Sequence, residues 1–286
     1  MGVCPPMAFL PPVKSFDWNN FGLRATSGVI MGTVAIGAVL LFGAPFHHRE
    51  LFLGLVAVAG VVLSLEWAAM AAPGSRRTLG SWTALAVVGC ILSAFAGRYD
   101  LAWAVVLLGA VVAALLAKRA QARALDGAYG VLYIAPACLV LVWLVGTLQG
   151  SGWTLMLFAA TWSADVGAFA AGSVFKGPKL WPRFSPNKTW AGLAGGLAGA
   201  ILACVGVAAG LMHLSLMGAA LIGALGGMAT MAGDLWESVL KRRFGVKDSG
   251  DLIPGHGGLL DRVDGLMFAV MVFAIARLVV RFGWAH

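Results

Sequence analysis

Long apolar runs separated by short polar interruptions divide the chain into nine segments, at 27–43, 51–72, 79–96, 101–117, 129–148, 153–174, 190–212, 214–233 and 266–282. A hydrocarbon core of about 30 Å takes roughly 20 residues of α-helix, so each run is long enough to cross a bilayer once. The break at His213 is the faintest, but 192–233 is 42 residues, or about 63 Å of helix, which is two crossings and not one. The pattern predicts an all-α polytopic membrane protein, a bundle of about nine transmembrane helices.

Composition agrees. Hydrophobic residues make up 60% and charged residues 11% of the 286, with a mean hydropathy of +0.89, whereas a soluble domain is roughly 25% charged. The tail 1–26 has four prolines in its first twelve residues and no basic n-region leading into an apolar core, so it reads as a cytoplasmic tail and not a cleaved signal. Placing connections on alternate sides puts sixteen Lys and Arg residues with the tail and two on the opposite side, Arg277 and Arg281 of the last span excepted. That asymmetry sets the N-terminus in and the C-terminus out. The net charge of +8 follows from basic loops facing anionic lipid and calls for no nucleic acid. Cys4, Cys90, Cys138 and Cys204 are isolated and suggest neither zinc nor a disulfide framework.

Polar chemistry gathers in one stretch, Gly233 to Asp264, which holds six of the twelve carboxylates and five of the twenty Lys and Arg residues. If the preceding helix continues through it, Asp234, Ser238 and Lys241 share a face. Glycines at 245, 250, 255, 257 and 258, with Pro254, impose a folded-back loop, whose amides could cradle phosphate oxygens. Asp261 and Asp264 open the last apolar run, where a carboxylate also suits a helix N-terminus. Taken singly, each acid is equally a cap or a solvated loop charge. Within the spans, Asp165 is a carboxylate among small residues and needs a cation or donor. Glu66, beside Trp67, reads as an interface anchor or packing partner and is not counted with the site. Small residues recur at four-residue spacing in Ala164/Ala168/Gly172, Gly192/Gly196/Ala200 and Ala219/Gly223/Gly227, which predicts close packing of the sixth, seventh and eighth spans.

The order Ser238, Lys241-Arg242, Lys247-Asp248, Gly250, Ile253-Pro254, His256-Gly257-Gly258-Leu259, Asp261-Arg262-Val263-Asp264 resembles the signature of the phosphatidate cytidylyltransferases, the CDP-diacylglycerol synthases of membranes. More than a dozen fixed positions make it far more specific than a lone glycine motif. Upstream, Asp165-Val166-Gly167-Ala168 and Ser185-Pro186-Asn187-Lys188-Thr189 resemble the paired nucleotide-site segments of that family. Phe169, Ser173 and Ala191 depart from it, standing where Tyr, Arg and Glu are usual.

The resemblance implies transfer of a cytidylyl group from CTP to phosphatidate, giving CDP-diacylglycerol and pyrophosphate in phospholipid biosynthesis. Two polyanions must meet, so cations are the central requirement. By resemblance, Asp234 and Asp261 bind Mg²⁺, with room for a second cation, and Asp264 is a ligand or supports one; Asp234, Asp261, Asp264 and Lys241 form the catalytic group. Lys188, Lys241, Arg242 and Arg262 hold the triphosphate and lipid phosphate. Asp165, Ser185, Thr189, Ser238, Lys247, Asp248, His256, Gly257 and Gly258 complete the substrate site, with His256 a donor shaping the loop. The expected division is a tail at 1–26, N-terminal transmembrane helices at 27–125, and a transmembrane catalytic region at 126–286 with cytoplasmic loops 175–189 and 234–264. Expected partners are CTP, phosphatidate and membrane lipids, with no nucleic acid and room for a homodimer, in a bacterial-type inner membrane. A lipid-alcohol kinase, a cytidylyltransferase of an ether-lipid phosphate and a transporter are the alternatives. The transporter is disfavoured, because no repeat is seen and the charges cluster at one face.

Overall fold

A computed structural model describes residues 30, 32–40, 49–182, 184–212, 214–250 and 257–282. It contains a helical segment α1 (32–40), then α2 (Arg49–Ala71), a 3₁₀ turn (Pro73–Ser75), α3 (Arg76–Phe95), α4 (Tyr99–Arg119), α5 (Ala124–Val145) and α6 (Gly150–Phe175). A hairpin of β1 (Lys179–Trp181) and β2 (Ser185–Thr189) follows, and α7 (Trp190–Leu211), α8 (Leu216–Arg243) and α9 (Leu260–Arg281) complete the chain. Among the described residues, eight helices are long and apolar enough to cross a membrane, and the protein is an integral membrane protein. The expected span 27–43 lies partly outside the described residues, and its described part is helical at 32–40.

Helix ends differ from the apolar runs where polar residues continue the helical backbone. α8 is one unbroken helix of 28 residues, about 42 Å long, so Asp234 to Arg243 extend the apolar run without a joint. α9 begins at Leu260, six residues before the run at 266–282, and this sets Asp261 and Asp264 in its first turns. The expected break near His213 is real: α7 ends at Leu211, and Ser215 caps α8 by accepting the Gly218 amide at 3.1 Å. His213 itself lies outside the described residues.

Small residues bring α6, α7, α8 and α9 into close packing. A Cβ on Gly195 of α7 would stand 2.3 Å from the Ala171 Cβ and 2.6 Å from the Gly167 carbonyl oxygen, both on α6. On α8, Gly223 and Gly227 meet α7 at Ala200 in the same way. The crossing of α8 and α9 is comparably tight: a Cβ on Gly233 would lie 2.4 Å from the Asp264 carbonyl oxygen, and one on Gly265 would lie 2.9 Å from Asp234 Oδ1. Asp234 and Asp264 are therefore set at the point where two backbones nearly touch. Leu85, Leu107, Leu108 and Leu202 remain 61–71% exposed outward, as a lipid-facing surface requires. Arg277, one of the two bases that fit the charge asymmetry poorly, is absorbed by local contacts. Its guanidinium donates to Thr147 Oγ1 and the Leu148 carbonyl just past α5 and stacks over Trp153.

Candidate active site

The connection after α6 is a hairpin, not an irregular loop. β1 and β2 pair antiparallel with Lys179 opposite Thr189 and Trp181 opposite Ser185, and Trp181 packs edge-on against Phe184. Thr189 then starts α7, its hydroxyl accepting the Gly192 amide at 3.0 Å. Held between strand and cap, Lys188 reaches across to α8, where its Nζ donates to Asp234 Oδ2 at 2.8 Å.

Two turns further along α8, a second cation is fixed by two acids. Lys241 Nζ donates to Asp261 Oδ1 at 2.6 Å and to Glu237 Oε2 at 3.0 Å, and all three side chains are at least 86% buried, Lys241 being 14% exposed. Asp261 also accepts the Ser249 amide at 3.0 Å and the Gly258 amide at 2.9 Å. Gly257, at φ +81°, passes so close that a Cβ would stand 2.9 Å from Asp261 Oδ2. The loop amides therefore enclose a carboxylate of the protein itself. Asp264 is buried, and its Oδ1 accepts the Gly265 amide at 2.8 Å.

These groups line a cavity of about 630 Å³ together with Asp165, Ser238, Asp248 and Arg262. A second, apolar cavity of about 340 Å³ adjoins it, walled by residues such as Phe52, Val56, Phe158 and Val270, and the two share Trp162, Asp165, Arg262 and Asp264. Ser238 lies on the polar wall, and its hydroxyl donates to the Asp234 carbonyl at 2.9 Å. Of the other residues singled out from the sequence, Ser185, Thr189, Arg242, Lys247, Gly257 and Gly258 lie outside the lining. Arg242 donates to the Val246 carbonyl at the exposed end of α8. His256 lies outside the described residues.

Divalent-metal chemistry fits this donor set. No three acidic, histidine or cysteine side chains converge as a closed metal site among the described residues, but Asp234 and Asp261 face one cavity, and Glu237, whose Oε1 is buried there with no N–H or hydroxyl donor among the described residues, lies beside the Asp264 carboxyl. Mg²⁺ takes one or two carboxylates and completes its shell with water and phosphate oxygens.

Two acids carry more of this site than the sequence reading assigned. Glu237 stands three residues after Asp234 and four before Lys241, a spacing that signals an ion pair on one helix face. Glu66 of α2 accepts the Leu259 amide at 2.8 Å, the Leu260 amide at 2.8 Å and the Ser249 hydroxyl at 3.3 Å. A carboxylate within an apolar run was its signal; its partners, more than 180 residues away, had none.

The model of the cytidylyltransferase family matches residues 22–280. Over 266 residues the chain is 36% identical to the phosphatidate cytidylyltransferase of Brucella suis biovar 1 (strain 1330), covering 88% of this chain and 91% of that protein. The phosphatidate cytidylyltransferase of Pseudomonas aeruginosa is 35% identical over 267 residues, covering 88% and 94%. The protein of the same name from Mycobacterium tuberculosis (strain H37Rv) is 43% identical over 119 residues, covering 42% and 36%.

Proposed function

Because the chain belongs to the cytidylyltransferase family, we propose that it transfers the cytidylyl group of CTP to phosphatidate, giving CDP-diacylglycerol and pyrophosphate. The observation that carries this reading is the meeting of a polar cavity and an apolar cavity at Arg262 and Asp264. A substrate with a charged headgroup and hydrocarbon tails has this polarity; a nucleotide alone occupies only the polar half.

A phosphate oxygen of phosphatidate forms the new bond to the α-phosphorus of CTP as the bond to the β-phosphate bridging oxygen breaks. The nucleophile is already ionised, so the protein's task is to bring two anions together and neutralise charge on the leaving pyrophosphate. Arg262, at the junction of the cavities, takes the lipid phosphate. Lys188 and Lys241, each delivered to the polar wall by carboxylates, take the triphosphate, while Asp165 and Ser238 complete that wall. Asp234 and Asp261 would hold Mg²⁺, which when bound neutralises charge shared between the substrates. Glu237 keeps Lys241 extended toward the cavity.

The loops 175–189 and 234–264 face the cytoplasm in this account, with the N-terminus on the same side. The sixteen-to-two distribution of basic residues and the supply of CTP from the cytoplasm support it. Incubation of the purified protein with CTP, Mg²⁺ and phosphatidate tests the reaction: a cytidine-bearing lipid is expected, and its absence with every phosphatidate offered refutes the reading.

A further inference from the structure

We propose that Glu66 is a positioning residue for the transfer reaction, holding Ser249 after α8 and Leu259 and Leu260 at the start of α9 in the arrangement that sets Asp261. The inference rests on the functional reading above, and its test includes a readout that does not depend on it.

The N-terminus of α9 presents amides with no partner within the helix, and Leu259, at the capping position, has no side-chain acceptor to offer. Glu66 supplies both acceptors from another helix. Its Oε1 takes the Leu259 amide and its Oε2 the Leu260 amide, each at 2.8 Å, where the positive end of the helix favours a carboxylate. Oε2 also accepts from Ser249 Oγ at 3.3 Å.

The same loop is held from its other side by Asp261, through the amides of Ser249 and Gly258. Ser249 is thus gripped twice, by its hydroxyl and by its backbone. Two glycines of the signature give way to this carboxylate: a Cβ on Gly250 would stand 3.1 Å from Glu66 Oε1, and one on Gly258 would stand 2.8 Å from Oε2 and 2.0 Å from Ser249 Oγ. Glu66 is itself 8% exposed and firmly mounted. The next residue, Trp67, donates its indole N–H to the Asp126 carbonyl at 2.9 Å, and Asp126 pairs with Arg243 at the end of α8. A helix far from the signature in sequence thereby fixes both ends of the loop.

Substitution separates positioning from mere stability. Glu66→Gln keeps one acceptor but sets an amide donor against a helix N–H, and Glu66→Ala removes both acceptors. In the full-length protein in detergent, each should lower kcat about ten- to a hundredfold, as loss of a partner that orients a metal-binding group does. The Leu259 and Leu260 amides should exchange with deuterium about tenfold faster or more, with the thermal midpoint near that of the unaltered chain. Glu50→Gln, on the same helix but exposed, should change neither reading. Unaltered exchange at Leu259 and Leu260, or faster exchange with unaltered kcat, overturns the proposal. Should Glu66→Ala fail to fold, Glu66→Gln decides by the same two readings. If the unaltered chain makes no cytidine-bearing lipid, the reaction assignment fails by itself, and amide exchange still decides whether Glu66 holds the loop.

Discussion

Lys188 Nζ lies 2.8 Å from Asp234 Oδ2 across 46 residues of sequence, joining the hairpin that follows α6 to the polar end of α8. The pair is about four-fifths buried, at 22% and 19% side-chain exposure, so neither charge is readily replaced by water.

Asp234→Asn should therefore lower kcat about a hundredfold or more, since one preorganised charge at such a site is commonly worth a few kcal/mol. Lys188→Ala should cost less, because Lys241 and Arg262 face the same cavity. If the two losses do not fall short of additivity in the double variant, the residues act independently and the pairing has no role in turnover.

Chelation of divalent metal should abolish activity and Mg²⁺ should restore it. Asp261→Asn should raise the Mg²⁺ concentration needed for half-maximal rate, because it removes a proposed ligand and weakens the hold on the Ser249 and Gly258 amides. An unchanged Mg²⁺ dependence with normal turnover would assign Asp261 to the loop alone.

The α8–α9 crossing makes a stability prediction. Gly233→Ala places a methyl 2.4 Å from a backbone oxygen, an overpacking that typically costs about 1–3 kcal/mol. Gly206→Ala on α7, with nothing within 4 Å of its added Cβ, should be neutral or stabilise by about 0.4–1 kcal/mol through the unfolded chain. Thermal unfolding in one detergent compares them, and equal midpoints would contradict the close crossing.

Much of this site was legible in the sequence because its parts are local. The i, i+4, i+7 spacing of Asp234, Ser238 and Lys241 needs only the helical period once α8 is taken as continuous. Asp165 announces itself as a carboxylate among Ala and Gly, and the four-residue spacing of small residues in α6, α7 and α8 anticipates their packing. What stayed hidden depends on tertiary pairing. The β1–β2 hairpin is two very short strands, one of them containing Pro186, and gives no alternating pattern to read. The glycine-rich stretch suggests amides open to phosphate, yet those of Ser249 and Gly258 turn inward to Asp261, and those of Leu259 and Leu260 turn to Glu66. No periodicity links Glu66 to residues nearly two hundred positions away.

Orientation is tested by labelling single cysteines in a background free of the native four. Gly177→Cys and Lys247→Cys, both at exposed positions, should react with an impermeant reagent only from the cytoplasm. Leu148→Cys, at a position 82% exposed between α5 and α6, should react only from outside. Labelling of Gly177→Cys and Lys247→Cys from opposite sides would break the proposed arrangement.

The most direct measurement follows the phosphorus atoms of CTP. Purified protein is given phosphatidate, Mg²⁺ and CTP labelled at either the α- or the γ-phosphate, and the lipid and aqueous products are separated. Cytidylyl transfer predicts α-label in the lipid and γ-label in pyrophosphate. Label from the γ-position in the lipid, or no label there from either position, would contradict it.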